Sequence, residues 1–327
     1  MIVTRTPVRI PLGGGGTDLP SYYTQYGGSL LSAAIDKYIY VTVNKRFENS
    51  IRVSYSETEI ADTAEKIRHP IVREALKLLG IDSGVEITSI ADVPSNTGLG
   101  TSSAFTVGLL HALHTYKKEK VSAQDLAEEA CFLEIELLKE PIGKQDQYAA
   151  AYGGLIGLEI DRLGNTKVEQ LHLSEDARDQ LESNTLLFYT GIRRSAGRVL
   201  SVQNKATSVR REKTVESLHK IKKIGEQTKQ AFLEENLDRF GKLLDLHWQT
   251  KKSLSSKISS GQVDRWYRIA RKSGASGGKL MGAGGGGFFM FYCNNGKNGF
   301  RKAMYQQGLR EMPFRIDYEG SKVLVNF

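Results

Sequence analysis

Cysteine is nearly absent from this chain: Cys131 and Cys293 are the only two in 327 residues. Two thiols far apart in sequence, one in an apolar helical pattern and one at the end of a strand pattern, make no disulfide framework. A reducing, cytoplasmic setting is expected. Tryptophan occurs twice and aromatic residues make up 9%. No basic stripe is interleaved with aromatics, so single-stranded nucleic acid is not an expected partner. No apolar run approaches the length needed to cross a bilayer. Met1 to Arg5 leads directly into a strand pattern with no basic region and apolar core before it, so neither a signal peptide nor membrane attachment is expected. Internal repeats and low-complexity linkers are also lacking.

What is abundant is glycine, with 33 residues, and positive charge, at a net +8. Hydrophobic content of 40% and charged content of 25% are ordinary for a globular chain whose length suits two domains. The basic excess admits anionic small molecules or nucleic acid. Its densest stretch, Arg210 to Lys229, alternates lysines with Glu216, Glu226, Leu218, Ile221 and Ile224, which is the pattern of a solvated face on an amphipathic helix. Strand patterns occur at Val3–Ile10, Tyr38–Asn44, Ile51–Tyr55 (expected to pair with the preceding strand), Val85–Ile90, Leu155–Ile160 and Val168–Leu173. Helical patterns occur at Pro70–Leu79, after Ser122 as far as about Lys139, and at Gln145–Tyr152. Later, a strand at Leu186–Thr190 precedes helical stretches around 195–211, 213–233, 236–253 and 262–272, a strand at Phe288–Tyr292, a helix at 297–309 and a terminal strand pair. Strands and helices mix without regular alternation, so the fold class is α+β rather than a doubly wound sheet.

Three glycine loops carry the chemistry. The first is Pro94-Ser95-Asn96-Thr97-Gly98-Leu99-Gly100-Thr101-Ser102-Ser103-Ala104, between a strand and a helix. Glycines allow close backbone approach, free N–H groups of a first helical turn point at an anion, and hydroxyls can ligate a hard cation. No Gly-Lys-Ser/Thr ends it, so it is not a Walker loop. The simpler alternative is a helix capped by Thr101 or Ser102. The second loop, Gly13-Gly14-Gly15-Gly16-Thr17-Asp18, ends in an acid that could bind a ligand or cap a helix at Pro20. The third, Gly282-Ala283-Gly284-Gly285-Gly286-Gly287, satisfies the dinucleotide string G-x-G-x-x-G but opens onto the aromatic strand Phe288–Tyr292 instead of a helix, which excludes that use. Close approach to a ligand or to another loop remains.

In this order the three loops resemble the GHMP kinases, a family that includes galactokinase and the homoserine, mevalonate and phosphomevalonate kinases. Arg9 stands nine residues before Asp18, residues 94–104 match the family's second motif and residues 282–287 its third. The resemblance covers nearly the whole chain. It implies a two-domain fold, with a mixed α/β N-terminal domain over 1–180 and a ferredoxin-like C-terminal domain over 181–327. It also implies ATP and Mg²⁺ as cofactors. By its register, Glu134, seven residues before Pro141, is the metal-binding acid beside Ser102, and Asp146 in Gly143-Lys144-Gln145-Asp146-Gln147 is the catalytic acid. Without that register, Glu134 is one of several glutamates on a helix surface, and Asp146 a first-turn residue.

The resemblance further implies that Pro94, Asn96, Thr97, Gly98, Leu99, Gly100, Thr101, Ser102 and Ser103 bind the triphosphate, and that Arg9 or Lys144 offsets charge at the transferring phosphoryl group. Gly14, Gly15, Gly16, Thr17 and Asp18 are expected on the acceptor, with Gly284 and Gly285 closing over it. The string Gly13 to Tyr23 is similar to the D-glycero-D-manno-heptose 7-phosphate kinases. Galactokinases carry Glu-His where this chain has Gly15-Gly16, which argues against galactose. The implied reaction is phosphorylation of the anomeric hydroxyl of the heptose 7-phosphate to the 1,7-bisphosphate, with the sugar phosphate met by Arg193, Arg194, Arg198 or Lys279. Alternatives are a fucokinase-like enzyme acting on another sugar, or a non-catalytic ligand sensor of the same fold. Oligomeric state is not readable.

Overall fold

The first twelve-residue strand, β1 (Ile2–Gly13), begins with alternating buried and half-buried residues and ends with eight buried ones. Its second half is therefore covered on both faces, a pattern the run Val8-Arg9-Ile10-Pro11-Leu12, apolar except for Arg9, already carries. The computed structural model describes residues 1–193, 207, 209, 212–255 and 258–327. The expected helix around 195–211 lies almost wholly outside the described residues, as do Arg194 and Arg198.

β1 runs antiparallel to β2 (Gly28–Lys45), one strand of 18 residues that joins the apolar segment at Leu30 to the strand pattern at Tyr38. Register shifts between Pro7 and Val8, opposite Tyr38 and Ile35, where proline interrupts the ladder. The first part of β2 pairs with β6 (Leu155–Ile160), which forms a hairpin with β7 (Thr166–Leu171). Its last part pairs with β5 (Val85–Ala91). Contrary to expectation, β3 (Ile51–Ser54) does not pair with β2: β5 lies between them, parallel to β3, and β4 (Thr58–Ala61) forms the edge. The last strand, β12 (Lys322–Asn326), returns to the outer side of β1.

The second sheet has four strands in the order β11 (Arg310–Met312), β8 (Thr185–Tyr189), β10 (Phe288–Tyr292), β9 (Gly277–Leu280), all antiparallel. Helices lie between β8 and β9 and between β10 and β11, so the order is β-α-β-β-α-β, the ferredoxin-like arrangement. Residue 180 falls inside helix α6 (Glu175–Asn184), which leads into β8.

Five other helices position the cleft. α3 (Thr101–Tyr116) packs on β1 and β2 through a nearly continuous apolar surface. α4 (Ala123–Cys131) begins with a complete capping box between Ser122 and Asp125. α5 (Gln145–Tyr152) packs on α3 and α4. In the C-terminal half, α7 (Glu212–Leu233) buries Leu218, Ile221 and Ile224 and leaves most of its lysines outward, as its sequence predicts. It packs on α8 (Leu237–Lys252) and reaches across to β1 and β2, with Gly225 against Gly13 and Gly14. The remaining helices are α1 (Pro20–Tyr26), α2 (Pro70–Leu78), α9 (Gly261–Lys272) and α10 (Lys297–Gln306). Both cysteines are buried free thiols. Among the described residues no helix is long and apolar enough to cross a membrane.

Candidate active site

α3 and α10 both start from a left-handed glycine without a side-chain cap, unlike four other helices. α4, α6, α8 and α9 are each capped by a side chain, from Ser122, Ser174, Asn236 and Ser260. α3 starts from Gly100 in the left-handed conformation, with no side-chain cap. Thr101 and Ser102 therefore do not cap it; they are its first turn. Gly100, Thr101, Ser102 and Ser103 line a cleft of about 430 Å³. Uncapped N–H groups and the positive end of the helix dipole at a glycine turn make an anion cradle. A wider groove of about 850 Å³ between β6, β7 and α7 holds no motif residue.

The glycine loop is held from both halves of the chain. A β-carbon on Gly98 would stand 2.7 Å from the carbonyl oxygen of Met281, and one on Gly282 would stand 2.6 Å from the α-carbon of Gly98. Only glycine allows this backbone-to-backbone contact, and both residues have positive φ. Phe288 N–H donates to Thr97 O at 3.2 Å, fastening the third loop to the first, and Thr190 Oγ1 donates to Gly287 O at 2.8 Å, fastening the third loop to the end of β8. Within the first loop, Asn96 and Gly98 face the cleft, whereas Pro94, Thr97 and Leu99 do not line it. Thr97 donates to Pro94 O and Leu99 is buried, its carbonyl accepting from Arg9 N–H.

Arg9 and Asp146 meet in the cleft. The Arg9 side chain donates from Nε to Asp146 Oδ1 at 2.7 Å and from Nη1 to Gly98 O at 2.6 Å, and its Nη2 lies 2.6 Å from the same carboxylate oxygen. One buried guanidinium thus ties the acid to the glycine loop. Asp146 Oδ2 lies 3.0 Å from where a β-carbon on Gly100 would stand, beside the open end of α3. Asp18 accepts from Gly16 N–H at 2.9 Å and from Gln145 N–H at 3.1 Å. It therefore secures the start of α5, which carries Asp146, while α1 begins at Leu19 with no side-chain cap. Burial, and then the charge of Asp146, push the Asp18 carboxyl up from its ordinary value. Gly15 and Gly16 line the cleft with Asp18; Gly14 and Thr17 do not, and Thr17 bonds to the carbonyls of Gly14 and Ser29.

Glu134 sits where regular helix fails. Past α4 the chain widens into one π turn (Phe132–Leu137), with Leu138 N–H donating to Leu133 O. The expected continuous helix to Lys139 is thus broken, and π turns commonly serve functional sites. Glu134 is 1% exposed and pairs with no cation among the described residues; Gln147 Nε2 donates to it at 2.6 Å and Ser102 Oγ lies at 3.4 Å. Burial, then the charge of Asp146, push its carboxyl up to about 7, against hydrogen bonds from Ser103, Gln147 and Thr106. A buried carboxylate beside a hydroxyl fits a hard divalent cation, which takes one or two carboxylates and leaves its other positions to phosphate and water.

Four more expected site residues lie elsewhere. Lys144 does not line the cleft: Nζ donates to Gly164 O at 2.5 Å and lies 5.6 Å from the centre of the Tyr23 ring. Gly284 and Gly285 face Ile258, and Gly282 and Ala283 are the third loop's cleft residues. Arg193 is exposed and does not line the cleft. Conversely, sequence reasoning missed His247, Lys251 and Gln145, which do. Gln145 is 6% exposed, and its Nε2 has no partner among the described residues.

Comparison with known proteins decides the family. Residues 54–154 match the N-terminal domain of the GHMP kinases and residues 228–305 their C-terminal domain. The chain belongs to the GHMP kinase family. It is 31% identical to the D-glycero-alpha-D-manno-heptose 7-phosphate kinase of Campylobacter jejuni, over 98% of both chains. A solved structure of a D-glycero-D-manno-heptose 1-phosphate kinase from Bacteroides thetaiotaomicron superposes with a TM-score of 0.82 over 100% of both chains at 25% identity. The galactokinase of Lactococcus lactis shares the fold at 20% identity, with a TM-score of 0.77 over 98% of this chain and 94% of that one. In this GHMP kinase the three glycine loops, far apart in sequence, build one cleft, and two of them interlock at Gly98 and Gly282.

Proposed function

We propose that this kinase transfers the γ-phosphoryl group of ATP to the anomeric hydroxyl of D-glycero-D-manno-heptose 7-phosphate, giving the 1,7-bisphosphate. The observation that carries the reaction is the pairing of Asp146 with Arg9 at the open end of α3. The acceptor is supported by likeness to the Campylobacter protein and by the cleft's chemistry: Gly15 and Gly16 leave room, while Asp18 and the unpaired amide of Gln145 offer hydrogen bonds to hydroxyls.

Phosphoryl transfer asks a protein mainly for positioning and charge neutralisation. The first turn of α3 and the backbone of Gly98–Gly100 would take the triphosphate. Glu134 and Ser102 would hold Mg²⁺, whose chemistry there is to neutralise phosphate charge. Asp146 would accept the acceptor's hydroxyl proton as its oxygen bonds to the γ-phosphorus. The bond from that phosphorus to the β–γ bridging oxygen breaks, and ADP leaves with the electron pair. Arg9 would hold the carboxylate in place and offset negative charge at the transferring group. Lys144, turned to Gly164, has no part in this assignment.

A panel of phosphorylated and free heptoses and hexoses, L-fucose included, read by ADP release, tests the proposal. Turnover should be fastest with the heptose 7-phosphate. A preference for free fucose would assign the acceptor to the fucokinase type, and no ADP release with any sugar would leave a ligand sensor.

A further inference from the structure

The C-terminal wall of the cleft carries a buried and a half-buried lysine, Lys279 and Lys251, that no carboxylate among the described residues neutralises. Lys279, on β9, is 2% exposed, and its Nζ stands 3.4 Å from Nδ1 of His247. Lys251, one turn beyond His247 on α8, donates to the carbonyl of Gly282 and, at 3.4 Å, to that of Leu280. All three line the cleft, and among the described residues no acidic side chain pairs with them. Burial, then the charge of Arg9, hold Lys251 down to about 8. Burial and neighbouring cations hold Lys279 and His247 well below their ordinary values. Gathering like charges in an enclosed place without a counter-charge is costly, and a dianion removes the cost. Lysine is a compact point charge suited to phosphate.

We infer that Lys251, Lys279 and His247 form the subsite for the phosphate monoester of the acceptor. This rests on the reading of the cleft as that of a sugar phosphate kinase. The nucleotide's phosphates have their own cradle, built from N-terminal elements at Gly98–Ser103. The lysines come from α8 and β9 of the other half. They make the phosphate already on the sugar a requirement for tight binding, and they do so without Arg193.

Two variants, Lys279→Met and Lys251→Met, test this against the wild-type chain. Each should fold, since removing a buried unpaired charge does not destabilise, and unliganded melting temperatures check it. Loss of a charge-assisted hydrogen bond should raise KM for the heptose 7-phosphate by about 10- to 100-fold without raising KM for ATP. With Mg²⁺ and adenylyl imidodiphosphate saturating the nucleotide site, inorganic phosphate should raise the melting temperature of the wild type and not of the variants. An unchanged KM with phosphate stabilisation retained overturns the subsite; a raised KM for ATP instead gives the lysines to the nucleotide and also overturns it. If the wild type phosphorylates no sugar phosphate, yet its stabilisation by phosphate is lost in the variants, the subsite stands and the functional reading falls. If phosphate does not stabilise the wild type either, both fall.

Discussion

Asp146 and Glu134 are two acids in one cleft with different surroundings, and those surroundings separate their roles. Asp146 is paired with Arg9 and partly open to the cleft, whereas Glu134 is sealed among Ser102, Ser103, Thr106 and Gln147 without a cation. Asp146→Asn keeps the shape and removes the proton acceptor. It should lower kcat by about 10²- to 10⁴-fold while calorimetric ATP affinity and the melting temperature stay near wild type. A wild-type rate would remove Asp146 from the mechanism. Glu134→Ala removes a candidate metal ligand and a buried acid that opposes Asp146. The Mg²⁺ concentration needed for half-maximal rate should rise by about tenfold or more, measured by titrating the metal at fixed ATP; an unchanged requirement would move the metal elsewhere.

Local signals told most at the level of elements. Ser122 and Asp125 form the capping box their spacing promises, and α5 runs from Gln145 to Tyr152 as its pattern predicts. Arg9, Asp18, Gly98–Ser103, Glu134 and Asp146 were findable because motifs fix them in sequence. What depends on distant parts of the chain was not. Lys144 sits one residue before α5, and only the hairpin turn at Gly164 shows that it points away from the cleft. Lys251 looks like a surface lysine until α8 and β9 pack together, and Lys279 is only one of four basic candidates in the sequence. The π turn at Glu134 has no local signature, since Phe132 to Leu137 fits an ordinary helix, and α6 is polar enough to hide its period. The same long-range logic joins α3 to α4: His114 bonds Glu119 through Nδ1 at 2.8 Å and Glu129 through Nε2 at 2.7 Å. The bond to Glu129, then that to Glu119, outweigh burial and raise the His114 pKa from its ordinary 6.5. A raised histidine stabilises fully below the unfolded value and loses that contribution as pH rises through the folded one. As pH rises above the ordinary histidine value of about 6.5, the melting temperature of the wild type should therefore fall more steeply than that of His114→Gln. Parallel curves would show that the cluster is not ionised.

The whole molecule is interlocked rather than hinged at a simple linker. β12, from the end of the chain, completes the first sheet beside β1, and α7, from the second half, packs on β1 and β2. The loops at Gly98 and Gly282 are in backbone contact. The two sheets should therefore unfold together, and calorimetry should record one transition whose van't Hoff and calorimetric enthalpies agree. Two resolved transitions would show that the halves fold independently. The cleft draws its nucleotide cradle from the first half and its lysine wall from the second, so catalysis depends on their remaining joined. The most direct test of the account is ³¹P NMR of the chain with ATP, Mg²⁺ and D-glycero-D-manno-heptose 7-phosphate. ADP should appear in step with a second sugar phosphorus, coupled to the anomeric proton, and Asp146→Asn should slow both together. A new phosphorus at any other position, or no consumption of ATP, would contradict it.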